Sequence, residues 1–227
     1  MSVRPRVQRV SGSRAWVPFS LLIGIAIWLA ASLGLGDSGA TGAQKGFSPQ
    51  EEQLLRAGKL VARAKTEDRG SLRLIGGTSW QLIDAPPDAV FRALLDTSRY
   101  YRMMPAVTGS TLVAEQPGYR KVRLEHKKGP VALSYNLGTH VYPERRDITF
   151  SLEEAPAGLP RAAWGFFSVR PFGAKQTLLA YGAMADPGDG LVLTLVRSTV
   201  QEWMLQVPRQ VKWYVESREG RARYGAK

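Results

Sequence analysis

Between Thr108 and Ala185 the chain breaks into six extended-looking segments, each closed by a turn signal. Thr108–Glu115 stops at Gln116-Pro117-Gly118, Tyr119–Lys128 at Gly129-Pro130, and Val131–Tyr142 at Pro143-Glu144-Arg145. Arg146–Glu153 runs into the Pro156-to-Pro160 loop, Arg161–Arg170 into Pro171-Phe172-Gly173, and Lys175–Ala185 into Asp186-Pro187-Gly188. Connections this short join antiparallel neighbours, so the segments predict a meander and not a set of parallel crossovers. Directly after them, Val192, Leu195, Val196, Thr199, Val200, Trp203, Met204, Val207, Val211 and Tyr214 recur at i+3 and i+4. That spacing predicts one long helix with a wide apolar face, kinked at Pro208 and ended by Gly220. A wide apolar helix face needs a concave partner, and a curved antiparallel sheet supplies one.

Upstream of the meander, Leu72–Ile83 reads as extended chain with a Gly76-Gly77 break, stopped by Pro86-Pro87. Asp88–Asp96 is a short helix with Val90, Phe91, Leu94 and Leu95 on its apolar face, and Ser98–Met104 is a second one ending before Pro105. Ser48-Pro49-Gln50-Glu51 is a capping box with Pro at the first helical position. Leu54, Gly58, Val61 and Ala62 follow at helical spacing and predict a helix from Pro49 to Lys65, within an accessory segment 48–70 outside the main domain, 71–220. The basic tail Arg221–Lys227 reads as frayed.

The first residues read as an address. Arg4, Arg6, Arg9 and Arg14 precede an uncharged run from Ala15 to Gly36. A basic flank before an apolar run is the layout of a signal anchor or a signal peptide, here residues 1–36. The run approaches the roughly 20 residues of a spanning helix, which favours the anchor. Small residues at Ser38-Gly39-Ala40 and Thr41-Gly42-Ala43 keep cleavage open. Residues 37–47 read as a flexible linker. With the arginines held in the cytoplasm, the body lies on the exported, periplasmic side: anchored to the inner membrane, or secreted if the run is cleaved.

Composition narrows the chemistry. There is no cysteine, and the only histidines are His126 and His140, so thiolate catalysis, disulfides and multi-His metal sites are excluded. The formal net charge of +12 suits an anionic membrane surface. The basic residues are scattered and no nucleic-acid motif is present, so nucleic acid is not expected as a partner. No nucleophile elbow, phosphate loop or paired-His motif occurs. Asp84 reads as a cap of the following helix, and Glu153 and Glu154 read as a solvated turn, which leaves no candidate catalytic residue.

The stretch from Trp80 to Phe91, with Leu82-Ile83-Asp84-Ala85-Pro86-Pro87 before an apolar-aromatic pair, resembles the opening of the START-like (SRPBCC) superfamily, the polyketide cyclase/dehydrase and lipid-transport group. Asp96, Tyr100-Tyr101 and Met104-Pro105-Ala106-Val107 are similar to its second helix, and Asp186-Pro187-Gly188 to the turn before its last helix. The chain looks most like the coenzyme Q-binding branch. The resemblance spans Leu72 to Glu219 and implies an α+β helix-grip fold, in which a curved antiparallel sheet wraps the long C-terminal helix around a cavity. It further implies a hydrophobic small-molecule ligand, a lipid or isoprenoid quinone, with no other cofactor.

Strand alternation supplies lining candidates for that cavity: Leu124 and His126 opposite the wet face of Lys121, Arg123, Glu125 and Lys127; Tyr135 and Leu137; and Trp164 with Phe166. Trp203, Met204 and Val207 face them from the helix, and Tyr100, Tyr101 and Met104 stand where the family's second helix guards the mouth. Each of these residues also suits a plain core, and His126 suits either a ligand hydrogen bond or a structural role. His140 reads as solvent-facing. Arg99 and Arg102 are candidates for docking the mouth on acidic headgroups. The expected function is a membrane-tethered, exported binding or transfer protein. A cyclase-like enzyme on the same fold and a ligand-free membrane-surface interaction domain remain open.

Overall fold

The computed structural model describes residues 46–128, 131–156, 158–188 and 191–225. The 1–36 segment, most of the 37–47 linker and the last two residues of the tail lie outside the described residues. No helix among the described residues is long and apolar enough to cross a membrane.

Each strand is bounded where Gly and Pro punctuate the sequence. The strands are β1 (Val61–Arg69), β2 (Leu72–Ile83), β3 (Val107–Gln116), β4 (Tyr119–Lys128), β5 (Val131–Tyr142), β6 (Asp147–Glu154), β7 (Ala162–Phe172) and β8 (Gln176–Asp186). All pair antiparallel in one curved sheet of order β1-β2-β8-β7-β6-β5-β4-β3. Helix α1 (Pro49–Arg56) precedes β1; α2 (Pro87–Leu95) and α3 (Tyr100–Met103) lie between β2 and β3; α4 (Leu191–Leu205), α5 (Val207–Glu216) and α6 (Arg218–Tyr224) close the chain.

The inner face of the sheet carries the main core. Ile83, Val122, Leu124, Ile148, Phe167, Val169 and Leu179 pack there against Val90 and Leu94 of α2 and Val207, Val211 and Val215 of α5. Because side chains alternate across a strand, the neighbours Leu82 and Leu178 point outward, where they join Leu55 and Val61 in a second, smaller cluster. Helix α1 therefore covers the convex side of the sheet. Its capping box forms as expected, with the Ser48 side chain accepting from the Glu51 N–H and Glu51 accepting from the Ser48 N–H.

The sequence expectations fail at three places. The predicted helix from Pro49 to Lys65 stops at Arg56, and Gly58, at φ +70, turns the chain into β1. Strand β1 hides only Val61 well, so it shows no alternation to read. The long C-terminal helix is three helices: the rod breaks at Gln206, with Pro208 in the first turn of α5, and Ser217 restarts the chain as the cap of α6. The tail is not frayed over its described part. Tyr224 is 5% exposed, its hydroxyl donates to Asp96 (2.8 Å), and Arg223 pairs with the same carboxylate (2.7 Å).

Two glycines bend β2 where the helices cross it. Gly76 and Gly77 have φ of +154° and +139°, and a Cβ on either would strike backbone, Ala183 O at 1.9 Å and Arg63 O at 2.1 Å respectively. Gln201 of α4 donates its side-chain amide to the carbonyls of Gly76 and Lys65, both at 2.9 Å, pinning the helix to this bend. Gly76→Ala is expected to destabilise the protein by at least about 2 kcal/mol in urea unfolding. Tyr224→Ala is expected to cost about 3 kcal/mol, as for removing a buried aromatic ring. A frayed tail would leave stability within about 0.5 kcal/mol of the parent.

Candidate functional site

Inside the grip, side chains do not fill the space. A cavity of about 150 Å³ lies between β4–β8 and the helices. Its walls are Leu124 and His126 of β4, Tyr135 and Leu137 of β5, Phe150 of β6, Phe167 of β7 and Tyr181 of β8. Trp203 and Met204 of α4 and Val207 of α5 form the opposite side, with Tyr100, Met104, Pro105 and Ala106 at one end. The surface is overwhelmingly apolar. A space of this size and lining accepts an apolar group at least as large as a benzene ring.

Of the residues chosen from sequence, Tyr100, Met104, Leu124, His126, Tyr135, Leu137, Trp164, Trp203, Met204 and Val207 line the cavity. Two do not. Phe166 lies on the outer face, 38% exposed, over Gly182, whose missing Cβ leaves room for the ring. The inward set of β7 is Ala163, Gly165, Phe167 and Val169, and its two small members disguise the alternation. Tyr101 is 42% exposed, points away from the cavity and accepts a hydrogen bond from Arg99. A helix as short as α3 cannot aim adjacent tyrosines the same way. Phe150, Phe167 and Tyr181 line the cavity beyond the expected set, and strand alternation carries their signal: Ile148 with Phe150, and Leu179 with Tyr181 and Ala183.

The polar atoms of the cavity are few and most are satisfied. Tyr100 donates its hydroxyl to Leu94 O (2.8 Å), and Thr139 to Arg120 O (3.0 Å). His126 Nε2 and the Tyr135 hydroxyl share a hydrogen bond of 2.8 Å, with the rings stacked at 5.3 Å. Burial raises the Tyr135 phenol above its ordinary range and lowers His126 from 6.5 to about 4, so the imidazole is neutral at pH 7. Tyr181 stacks on Phe150 at 6.1 Å and is tilted against Phe167 at 4.9 Å.

Charged groups hold the rim, not the interior. Asp186 is fully buried at the end of β8, where it accepts from the Gly188 and Arg73 N–H groups and from Arg161. Burial pushes its carboxyl up, but these donors outweigh it and hold it below the usual range. Arg197 of α4 caps the same junction through the Arg73 carbonyl. Asp84, read as a helix cap, makes no capping bond; its N–H donates to Glu216 instead. Glu153 and Glu154 end β6 and accept from Tyr119 and Asn136, so they are not a free turn. Arg99 and Arg102, expected to face headgroups, both pair with Glu219. His140 is solvent-facing as read. No group of His, Asp and Glu among the described residues could hold a metal.

The depressed His126 value has a measurable consequence. As pH falls from about 6.5 toward 4 the unfolded chain takes up the proton first, so stability is full above 6.5 and falls through that window. The loss approaches about 3 kcal/mol near pH 4. Urea midpoints at pH 7 and pH 4.5 are expected to separate more for the parent than for His126→Gln. Equal separations would place His126 in an ordinary, solvated environment.

The matches to known proteins agree with this geometry. No curated protein matches the sequence. Among solved structures, the STAR-related lipid transfer protein from Xanthomonas axonopodis superposes with a TM-score of 0.52 at 17% identity, covering 69% of this chain and 99% of that one. The Zhui aromatase/cyclase from Streptomyces sp. R1128 superposes at 0.50 with 18% identity, over 70% and 99%. At these identities the likeness speaks for the fold. The profile of the family described as polyketide cyclase/dehydrase and lipid transport matches residues 83–207, more than half of the 227 residues. The chain therefore belongs to the polyketide cyclase/dehydrase and lipid-transport family, a START-like group, and folds as its helix grip does.

Proposed function

We propose that this protein binds and carries a hydrophobic small molecule, a lipid or isoprenoid quinone, in the cavity between sheet and helices. The observation that carries the reading is an apolar void in the centre of the fold. Its walls are apolar, so an apolar ligand is favoured there over water. On the walls, Tyr100 and Thr139 are committed to backbone carbonyls, and His126 and Tyr135 to each other. That is the lining of a binding site for an apolar body with a minor polar feature.

Catalysis is the weaker reading. His126, the one histidine or carboxylate among the described residues that line the cavity, is held at about 4 and is a poor general base at neutral pH. The tether is part of the proposal. The basic flank and apolar run of residues 1–36 support attachment to a membrane with the domain on the exported side, where a carrier meets its lipid source. The positive net charge supports contact with an anionic surface.

Organic extraction of the full chain, purified from its host, is expected to yield one lipophilic compound near one equivalent. Val207→Trp fills the cavity from α5 and is expected to abolish that compound while the fold persists by circular dichroism. A parent protein that stays empty after incubation with host lipid extract would remove the carrier reading.

A further inference from the structure

The convex face of the sheet is only partly covered. Helix α1 packs there around Leu82 and Leu178, in a cluster that ends at Phe47 and Trp80. Beyond Trp80 lies an open trough of about 490 Å³, larger than the central cavity. Four neighbouring strands form it: Arg63 and Lys65 of β1, Thr78 and Trp80 of β2, Gly182 of β8, and Trp164 and Phe166 of β7. Arg63, Thr78, Gly182 and Phe166 are register partners, one row across the sheet. The floor is low at Gly182, and the rings of Trp80, Trp164 and Phe166 stand around it. Adjacent aromatic groups on an open face, rimmed by charge, mark an interaction surface.

Cations stand on the rings. The Arg63 guanidinium lies 5.1 Å from the centre of the Trp80 ring, and that of Arg69 lies 5.6 Å from the centre of the Trp164 ring. Arg63 pairs with Glu51, and Lys65 and Arg69 share Glu67, so three cations meet two carboxylates and one positive charge is left over. No carboxylate lines the trough among the described residues. The side chains of Lys65 and Arg69 are each 62% exposed and can reach a further anion. Trp and Phe beside Lys and Arg is the composition that seeks a bilayer interface, with the rings at headgroup level and the cations on acidic phosphates.

The path of the chain selects the same face. Gly46 lies ten residues beyond Gly36, the end of the uncharged run, a reach of at most about 35 Å. Its carbonyl accepts from Arg63, and the Phe47 ring meets that of Trp80 edge-on at 5.3 Å. A tether through residues 1–36 therefore holds the domain at the lip of the trough. The rival surface is the α3 end, where Tyr101 is exposed and Arg99 and Arg102 share Glu219. It carries fewer rings and lies away from the entry of the chain.

We propose that the convex trough is the surface by which this domain docks on an anionic phospholipid bilayer, with Trp80, Trp164 and Phe166 in the interface and Lys65 and Arg69 on the headgroups. This rests on the reading that residues 1–36 tether the chain, and adds which face meets the membrane. Docked so, the sheet lies between the bilayer and helices α4 and α5, and the helix side of the cavity faces away.

The chain has no cysteine, so a single substitution carries a nitroxide without background. Ser151→Cys labels an exposed convex position, the register partner of Trp164, and Tyr101→Cys labels the α3 end. Each full-length chain is reconstituted in vesicles of phosphatidylcholine, alone or mixed with phosphatidylglycerol. Collision with oxygen and with a water-soluble nickel chelate gives the depth of each label. The 151 label is expected in the interface of the anionic vesicles and in water on phosphatidylcholine alone, and the 101 label in water on both. Lys65→Gln with Arg69→Gln is expected to lower the docked-to-free ratio about thirtyfold, at about fivefold per cation. Phe166→Asp is expected to release the 151 label while the compound extracted from the cavity is retained, which also shows that the variant is folded. A 151 label in water on anionic vesicles that float with the chain, burial of the 101 label in its place, or no release in either variant would overturn the docking face and leave the tether standing. Burial at 151 on phosphatidylcholine alone or without lipid would mean another occupant, such as a second copy, and would overturn it too. A chain that floats with neither vesicle would overturn both readings.

Discussion

The unfilled space under the sheet is the constraint around which the rest of the molecule is arranged. Protein interiors normally pack to crystalline density, and an apolar void is a direct loss of dispersion contacts. Here the space is lined by residues of β4–β8 on one side and of α4 and α5 on the other. The compensation lies at the periphery. Asp96 gathers Ser98, Arg223 and Tyr224, drawing α6 onto the chain between α2 and α3. Asp186 gathers Arg73, Arg161 and Gly188 at the opposite end of the sheet. Both carboxylates are held below their ordinary range despite burial, because each accepts several hydrogen bonds. Breaking such a hub strands a buried charge, so both act as clamps on the frame and leave the interior free to stay open.

The same logic explains where aromatic residues sit. Phe150, Phe167 and Tyr181 form one aromatic cluster across β6, β7 and β8, with centroids 4.9–6.1 Å apart. Large flat rings keep a wall rigid without projecting far into the space. Gly165, opposite Phe150, has no room for a Cβ, which would meet the ring at 2.4 Å. The wall is therefore as thin as the chain allows at that point, and the void beneath it is a product of small residues set against large ones.

Much of this was legible in the sequence because it rests on alternation and periodicity. The meander from Val107 to Asp186, helix α2 and the inward face of β4 follow from patterns in which burial repeats every second or every third to fourth residue. The failures share a cause: burial too sparse to leave a pattern. Strand β1 hides only its first residue well, and chance placed Leu54, Gly58, Val61 and Ala62 at helical spacing. In β7 the inward positions near the cavity are Ala163 and Gly165, so the conspicuous Trp164 and Phe166 suggested the wrong face. Trp164 still reaches the rim, under the Arg69 guanidinium at 5.6 Å, while Phe166 does not. Tyr224 is one anchor in a charged heptapeptide, and no local signal announces a partner as distant in sequence as Asp96.

The division of the C-terminal helix completes the argument. A single straight helix would have to serve the core and the cavity with one face, and the two need different things. Helix α5 buries Val207, Val211, Tyr214 and Val215 against the inner sheet and behaves as ordinary core. Helix α4 presents Val200, Trp203 and Met204 to open space, and polar contacts tie it to the sheet: Gln201 to the carbonyls of Gly76 and Lys65, and Arg197 to that of Arg73. The break before Pro208 falls between these two sets, with Val207 at the hinge point contributing to both. Pro at the start of α5 lacks the N–H that would have continued α4's ladder, so the rod ends there by covalent structure and not by packing. Stability is thereby lodged in α5 and the shape of the cavity in α4, which lets one change by substitution without forfeiting the other.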